Sequence, residues 1–390
     1  MRKLSFALLL VALGLATGCA SGRAAGTADV VRDPLADELA RFNDEELFAC
    51  GTAAWQAQDY VRSAACFASL ADRFPQSRHW RDAMFNAGAA YEAQEQWQRA
   101  LDRYRAVIDL ELSPKSDLEP VWRAATALYQ LDRYDEAIAL LAPLTAEPFA
   151  AEDRIRALTH AGICKVEAGR LGPAELDLRK ALDLYRAEDA KADERLADYW
   201  PAQAQFFIGE IYRLHFEAVA LRAVDDASKL GEELEYKAQL LLSAQGHYLR
   251  AIRMGNAHWG TAAGQRVGGL YETLYDQMMN APVPDGMDDH QAQLYRGLLR
   301  RKVRVLVQKA INVYERTLST AERIGVRSGF IEETQASLDR MKQVLLADAA
   351  RDEAEGITEE DLAKPAEAQK PSEPATQPAA NERAQAPGGA

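Results

Sequence analysis

Strand-forming stretches, metal-ligand spacings and long apolar runs are what this chain of 390 residues has little of. No β-rich region punctuated by turns stands out, which excludes a sandwich or barrel as its main body. Only four cysteines are present, without a Cys-x-x-Cys spacing. The six histidines (His79, His160, His215, His247, His258 and His290) contain no i, i+4 pair, so no ligand set for a metal emerges. Neither a Gly-x-Ser-x-Gly elbow nor a Walker loop occurs, and no pair of carboxylates is set apart as general acid and base. Gly264, Gly268 and Gly269 follow no strand and precede no Gly-Lys-Ser/Thr, so close helix packing explains them better than a phosphate loop. The chain is therefore expected to be no enzyme and to need no cofactor. Positive charge is in deficit as well, with a formal net charge of −13. Phosphates would be repelled, which excludes sequence-independent nucleic-acid binding.

What is there is a repeat. From Asp44 to Leu182 five columns keep one 37-residue step across four units. Leu47, Met84, Val121 and Leu158 form one column, and Gly51, Gly88, Ala125 and Gly162 the next. Tyr60, Trp97, Tyr134 and Leu171 form a third, Ser63, Ala100, Ala137 and Ala174 a fourth, and Phe67, Tyr104, Leu141 and Leu178 the last. Tyr60-x-x-Ser63-x-x-x-Phe67 places its residues at i, i+3 and i+7, one face of a helix. Small residues admit a second helix closely while aromatics fill the seam, the pattern of stacked helix hairpins.

Phe85-Asn86-Ala87-Gly88-Ala89-Ala90-Tyr91, followed by Trp97-Gln98-Arg99-Ala100 and Tyr104, resembles the tetratricopeptide (TPR) repeats. The resemblance covers roughly residues 44 to 182 and, more loosely, residues to about 280. It departs from the family pattern in three added residues per unit, in Lys165 where an aromatic is usual, and in missing closing prolines. It implies an all-α fold, a TPR-like α-solenoid of helix hairpins, with long C-terminal helices and a disordered tail. It also implies binding positions on the first helix of each unit: Glu45, Phe48, Thr52, Trp55 and Gln56; Asp82, Phe85, Ala89 and Glu92; Glu119, Trp122, Thr126, Tyr129 and Gln130; Arg156, Thr159, Ile163 and Glu167. Phe48, Trp55, Phe85, Trp122 and Tyr129 would be the aromatic anchors of a protein-binding groove. The alternative is that several of them pack against neighbouring helices.

Arg2 and Lys3 precede an apolar run, Leu4 to Leu15, too short to span a bilayer, so residues 1–18 read as an export signal. Ala16-Thr17-Gly18-Cys19 resembles the bacterial lipobox, which implies cleavage before Cys19 and acylation, palmitate included, of that residue. Several acyl chains anchor stably, at about 0.8 kcal/mol per buried CH₂. Ala20 is not the aspartate of the inner-membrane retention signal, so the expectation is an outer-membrane lipoprotein facing the periplasm. Residues 19–43 read as a flexible tether. Cys50, Cys66 and Cys164 are expected to be small core residues, with a Cys50–Cys66 bridge left open because the two stand on partner helices.

Beyond the four repeats (44–187), residues 188–348 read as a degenerate helical extension. Tyr199-Trp200-Pro201 opens a long helix, and Ala218 to Glu235 is expected to extend two helices. A helix from about Asp288 to Ile324 carries Arg296, Arg300 and Arg304 at i+4 spacing. This basic stripe would meet anionic head groups or an acidic partner, or be neutralised within the chain. Residues 349–390, rich in proline, alanine and acid, cannot bury a core and read as disordered. The functional expectation is a lipid-anchored, non-enzymatic scaffold that binds envelope proteins in outer-membrane assembly or maintenance. A subunit of a gliding-motility or secretion machine and a peptide- or glycan-binding lipoprotein are the alternatives.

Overall fold

The computed structural model describes residues 34–192, 196–222 and 226–355. The leader, Cys19, most of the tether and the tail beyond Glu355 lie outside the described residues. Of the tail expected to be disordered from 349 on, residues 349–354 are instead helical, with Asp352 buried. Among those described there is no strand, and the chain folds as two compact units that part between Gln94 and Glu95.

The first unit holds α1 (Pro34–Leu39), α2 (Asp44–Gln56), α3 (Tyr60–Arg73) and α4 (Trp80–Ala93). The tether expected over residues 19–43 thus includes a helix, α1. Arg73 holds it by donating from Nη1 to the Leu39 carbonyl at 2.7 Å and from Nη2 to those of Ala40 and Phe42. These bonds satisfy carbonyls a helix end leaves open. The chain enters α2 through a capping box, in which Asn43 Oδ1 accepts from the Glu46 N–H and Glu46 Oε2 from the Asn43 N–H, both at 2.9 Å. Leu39, Leu47, Phe67 and Leu70 form the core.

The second unit runs α5 (Trp97–Arg105), α6 (Glu119–Gln130), α7 (Tyr134–Leu141), α8 (Ala151–Glu167) and α9 (Leu171–Asp189). It continues with α10 (Tyr199–Ala218), α11 (Ala227–Met254), α12 (Ala257–Met279), α13 (Asp289–Ile324) and α14 (Gly329–Ala354). Each helix packs on the next. In addition α8 touches α10, α10 touches α12 and α12 touches α14, so these four form one layer with α9, α11 and α13 against it. Of the described residues in the expected 218–235 extension, 227–235 are helical and 219–222 are not. The α10 helix stops at Ala218, where the buried Lys237 donates to the Phe216 and Val219 carbonyls, each at 2.6 Å.

The seam is built as the columns imply. A Cβ on Gly51 would lie 2.7 Å from the Phe67 ring, and one on Gly162 2.7 Å from Leu178. The device continues past the regular repeats, where Gly209 abuts Tyr248 and Gly268 abuts Tyr314. Cys50 and Cys66 have the same 16-residue separation as Gly51 and Phe67, and their sulfurs are bonded. The expectation of three free core thiols therefore holds for Cys164 and fails for this pair, because the hairpin brings their Cα atoms to 6.0 Å.

The turns repeat too. Gln58, Glu95, Asp132 and Gly169 all have positive φ, at 59°, 58°, 60° and 73°, and stand 37 residues apart. In three of these turns the next N–H reaches back into the helix, from Asp59 to the Ala54 carbonyl, Arg133 to Leu128 and Arg170 to Lys165, as in a Schellman end. The left-handed region disfavours a Cβ, so Gln58→Gly is expected to raise stability by about 0.5–1 kcal/mol. A denaturant midpoint that does not rise would show that this corner is unstrained.

Candidate partner-binding face

In the first unit, α2 leaves Thr52, Trp55 and Gln56 exposed. Trp55 is 42% exposed and meets Tyr60 edge-on at 5.1 Å. Phe48 is half-buried, with its ring stacked on His79 at 4.3 Å and edge-on to Phe67. Phe85 and Glu92, both on α4, are half-buried. Of the three aromatic positions of this unit, Trp55 alone is exposed, while Phe48 and Phe85 are half-buried.

The second unit treats its residues differently. Trp122 is 3% exposed and joins a cluster with Leu141, Leu144 and Phe149. Tyr129 is 5% exposed, packs edge-on against Tyr134 and donates its hydroxyl to Glu167 at 3.3 Å. Neither is an open groove anchor, because both rings already fill space between helices; Gln130 remains half-buried.

The structure assembles instead a ladder of rings along the layer of α8, α10, α12 and α14, joined at one end by Trp122 of α6, whose ring meets His160 edge-on at 6.3 Å. Arg156 on α8 lies between two indoles, its Cζ 4.3 Å from the Trp122 ring and 4.7 Å from that of Trp200. His160 meets Trp200 edge-on at 4.9 Å, and Trp200 meets Tyr199 at 4.7 Å. Tyr199 reaches Trp259 at 5.8 Å and stacks on His258, which in turn meets Phe330 of α14 at 5.5 Å. Arg156, His160, Tyr199, Trp200, His258 and Phe330 are all half-buried. Among the described residues Arg156 makes no hydrogen bond or salt bridge. Burial pulls its pKa down, against the opposing pull of Glu119 and Asp153. Each cation–π contact contributes about 0.5–2 kcal/mol, which holds the guanidinium in place without neutralising it. The repeat pattern did mark Arg156 and Trp122 as first-helix positions. Tyr199, Trp200, His258 and Phe330 fall where the 37-residue step is lost, and no periodic signal could have found them.

The basic stripe is largely spent internally. Arg300 is 4% exposed and donates to Glu355 Oε2 at 2.8 Å. Arg301 pairs with Asp352 at 3.2 Å, and Arg304 pairs with the same carboxylate. The anionic partners of Arg300 and Arg304 are the chain's own, Asp352 in the last turn of α14 and Glu355 just after it. Arg296 alone of the three stays exposed, lining a cavity of about 870 Å³ beside Tyr275, Asp348 and Arg351. Among the described residues no helix is long and apolar enough to cross a membrane, and no cluster of three or more potential metal ligands is assembled.

No protein-family model matches the chain, nor does any curated protein. Similar solved structures include MamA from Desulfovibrio magneticus RS-1, with 16% identity over 51% of this chain and 96% of that one and a TM-score of 0.33. A tetratricopeptide repeat protein from Parabacteroides merdae has 15% identity over 76% and 98%, with a TM-score of 0.35. PilF of Pseudomonas aeruginosa has 14% identity over 77% and 98%, with a TM-score of 0.34. At such identities and scores the likeness transfers no function to this chain.

Proposed function

We propose that the chain is a non-enzymatic scaffold, lipid-anchored through Cys19 in the outer membrane, that binds protein partners of a bacterial envelope complex serving outer-membrane assembly or maintenance. The observation that carries the binding role is the ring ladder. Arg156, which makes no salt bridge among the described residues, lies between the Trp122 and Trp200 rings, and half-buried tyrosine and histidine rings continue from Trp200 along one layer of helices. Tryptophan, tyrosine and arginine dominate the energetics of protein interfaces, because they combine large rigid contact area with a directed polar group. The lipobox-like tetrad ending at Cys19 supports the anchoring. Partner class and compartment rest on these features together.

Mild crosslinking in cells, followed by purification of the full-length chain, tests this reading. Arg156→Gln and Trp200→Ala are each expected to lower recovery of a specific partner about tenfold, the equivalent of about 1.4 kcal/mol. Val61→Ala, on the exposed side of α3, should leave it unchanged. Equal recovery from all three, with helical content intact by circular dichroism, would remove the ladder from the binding surface.

A further inference from the structure

A second surface lies on the outward faces of α9 and α11, away from the ladder. Arg179 and Arg186 on α9 stand near Arg250 and Arg253 on α11. Glu175, which accepts from Arg179, also accepts from the Tyr212 hydroxyl at 3.1 Å, and Tyr212 stacks on His247 of α11 at 5.1 Å. The other three guanidinium groups add to burial in pulling the Arg250 pKa down. Glu175 accepts from Arg179 at 2.9 Å, and Asp183 from Arg186 at 2.8 Å. Among the described residues Arg250 and Arg253 have no such acid. The two arginines thus stand three residues apart on one helix without an acidic partner among the described residues, in a chain of net charge −13.

Aliphatic side chains protrude beside them. Leu242, Leu249 and Ile252 on α11 are 63%, 37% and 39% exposed, and Leu176 on α9 is 55% exposed. Leu242, Leu249 and Arg253 follow one another at i, i+7 and i+11, a single stripe. Leu241, Ala244, Tyr248 and Ala251 face the core, so this stripe has no part in holding the fold. A basic residue in the last turn favours the helix dipole, which accounts for Arg253. It does not account for Arg250 or for the leucines and isoleucine in water.

We propose that this α9–α11 face is a contact surface for an anionic lipid bilayer. Guanidinium groups meet lipid phosphates while Leu242, Leu249 and Ile252 enter the boundary between head groups and acyl chains, as on interfacial helices. The inference builds on the reading of the chain as lipid-anchored, since tethering raises the local concentration of the bilayer at a surface that is weak alone.

The test uses the chain from Ala20 to Ala390, which keeps every described residue and lacks leader and lipid, in cosedimentation with vesicles. Binding is expected to vesicles of phosphatidylethanolamine with about one third phosphatidylglycerol and not to neutral phosphatidylcholine, and to fall with salt. R250Q/R253Q is expected to lower it at least tenfold, from about fivefold per charge, and L249S/I252S to lower it separately. Both pairs are exposed, and circular dichroism checks that the variants stay folded. No binding to anionic vesicles, or binding that R250Q/R253Q leaves unchanged, overturns the proposal. So does capture of an acidic protein through these arginines while vesicles are ignored. Mass spectrometry of Cys19 in the exported full-length chain separates the two readings. Acylated Cys19 without vesicle binding removes this surface alone, and unacylated Cys19 with vesicle binding removes the anchor alone.

Discussion

Glu210→Ala is expected to destabilise the second unit by about 3–5 kcal/mol, read as a fall in the urea midpoint. Glu210, on α10, is 3% exposed. It receives Arg213 at 2.8 and 3.1 Å from its own helix and Arg266 at 3.0 Å from α12. The fully buried Tyr248 of α11 donates its hydroxyl to the same carboxylate. Burial works against its charge, but Arg266 and Arg213 outweigh it and hold the carboxyl below the usual range. Truncation would leave two largely buried guanidinium groups and a phenol around an empty site, and an uncompensated buried charge costs more than the pair contributes. Glu210→Gln keeps an acceptor for Tyr248 and is expected to fall between wild type and Glu210→Ala. A loss under about 1 kcal/mol for Glu210→Ala would mean that the arginines find other partners.

Acid is expected to destabilise the protein well above the range in which carboxylates titrate. The Gln205 amide donates to Nδ1 of His247 at 2.6 Å, and the ring stacks on Tyr212. Burial, with Arg250 and Arg179 adding to it, pulls the His247 pKa down to about 4. Burial together with Arg156 pulls that of His160 down to about 3. Both folded values lie below the unfolded one, so between them the unfolded chain binds the extra protons and stability rises with pH. The contribution is complete above about pH 6.5 and is lost as pH falls toward those values, by about 3 kcal/mol for His247. Glu210 acts in a lower window, because its depressed pKa withdraws stability only as pH falls below about 4.3. Urea unfolding at pH 7.5 and 4.5 is thus expected to differ by about 5 kcal/mol, roughly half from each ring, and His247→Gln to narrow the gap. A flat profile over that range would show that both rings protonate in place.

The helix starts at Tyr60, Trp97, Tyr134 and Leu171 could be read directly, because one column of large side chains opens every second helix. The left-handed corners could not. Three of the four carry Gln, Glu or Asp, so no glycine marked them; at Gln58 and Asp132 a backbone hydrogen bond from the next residue back into the helix holds the corner. Cys50–Cys66 was within reach, since its separation matches that of the Gly51–Phe67 seam. The fate of the arginine stripe was not. Asp352 and Glu355 lie about fifty residues away on another helix, with no shared period to connect them. The ladder is hidden for the same reason, because its rungs come from helices of unequal length joined by unequal loops.

The recurring left-handed corner also sets how such a chain can grow. A single residue inserted within a helix turns everything after it by about 100° and sends oily side chains outward. A duplication of 37 residues, cut at one corner and rejoined at the next, restores every contact across its hairpin. Lengthening by whole blocks through unequal recombination is therefore the cheap evolutionary route, whereas a single insertion inside any one hairpin breaks the step that its neighbours keep.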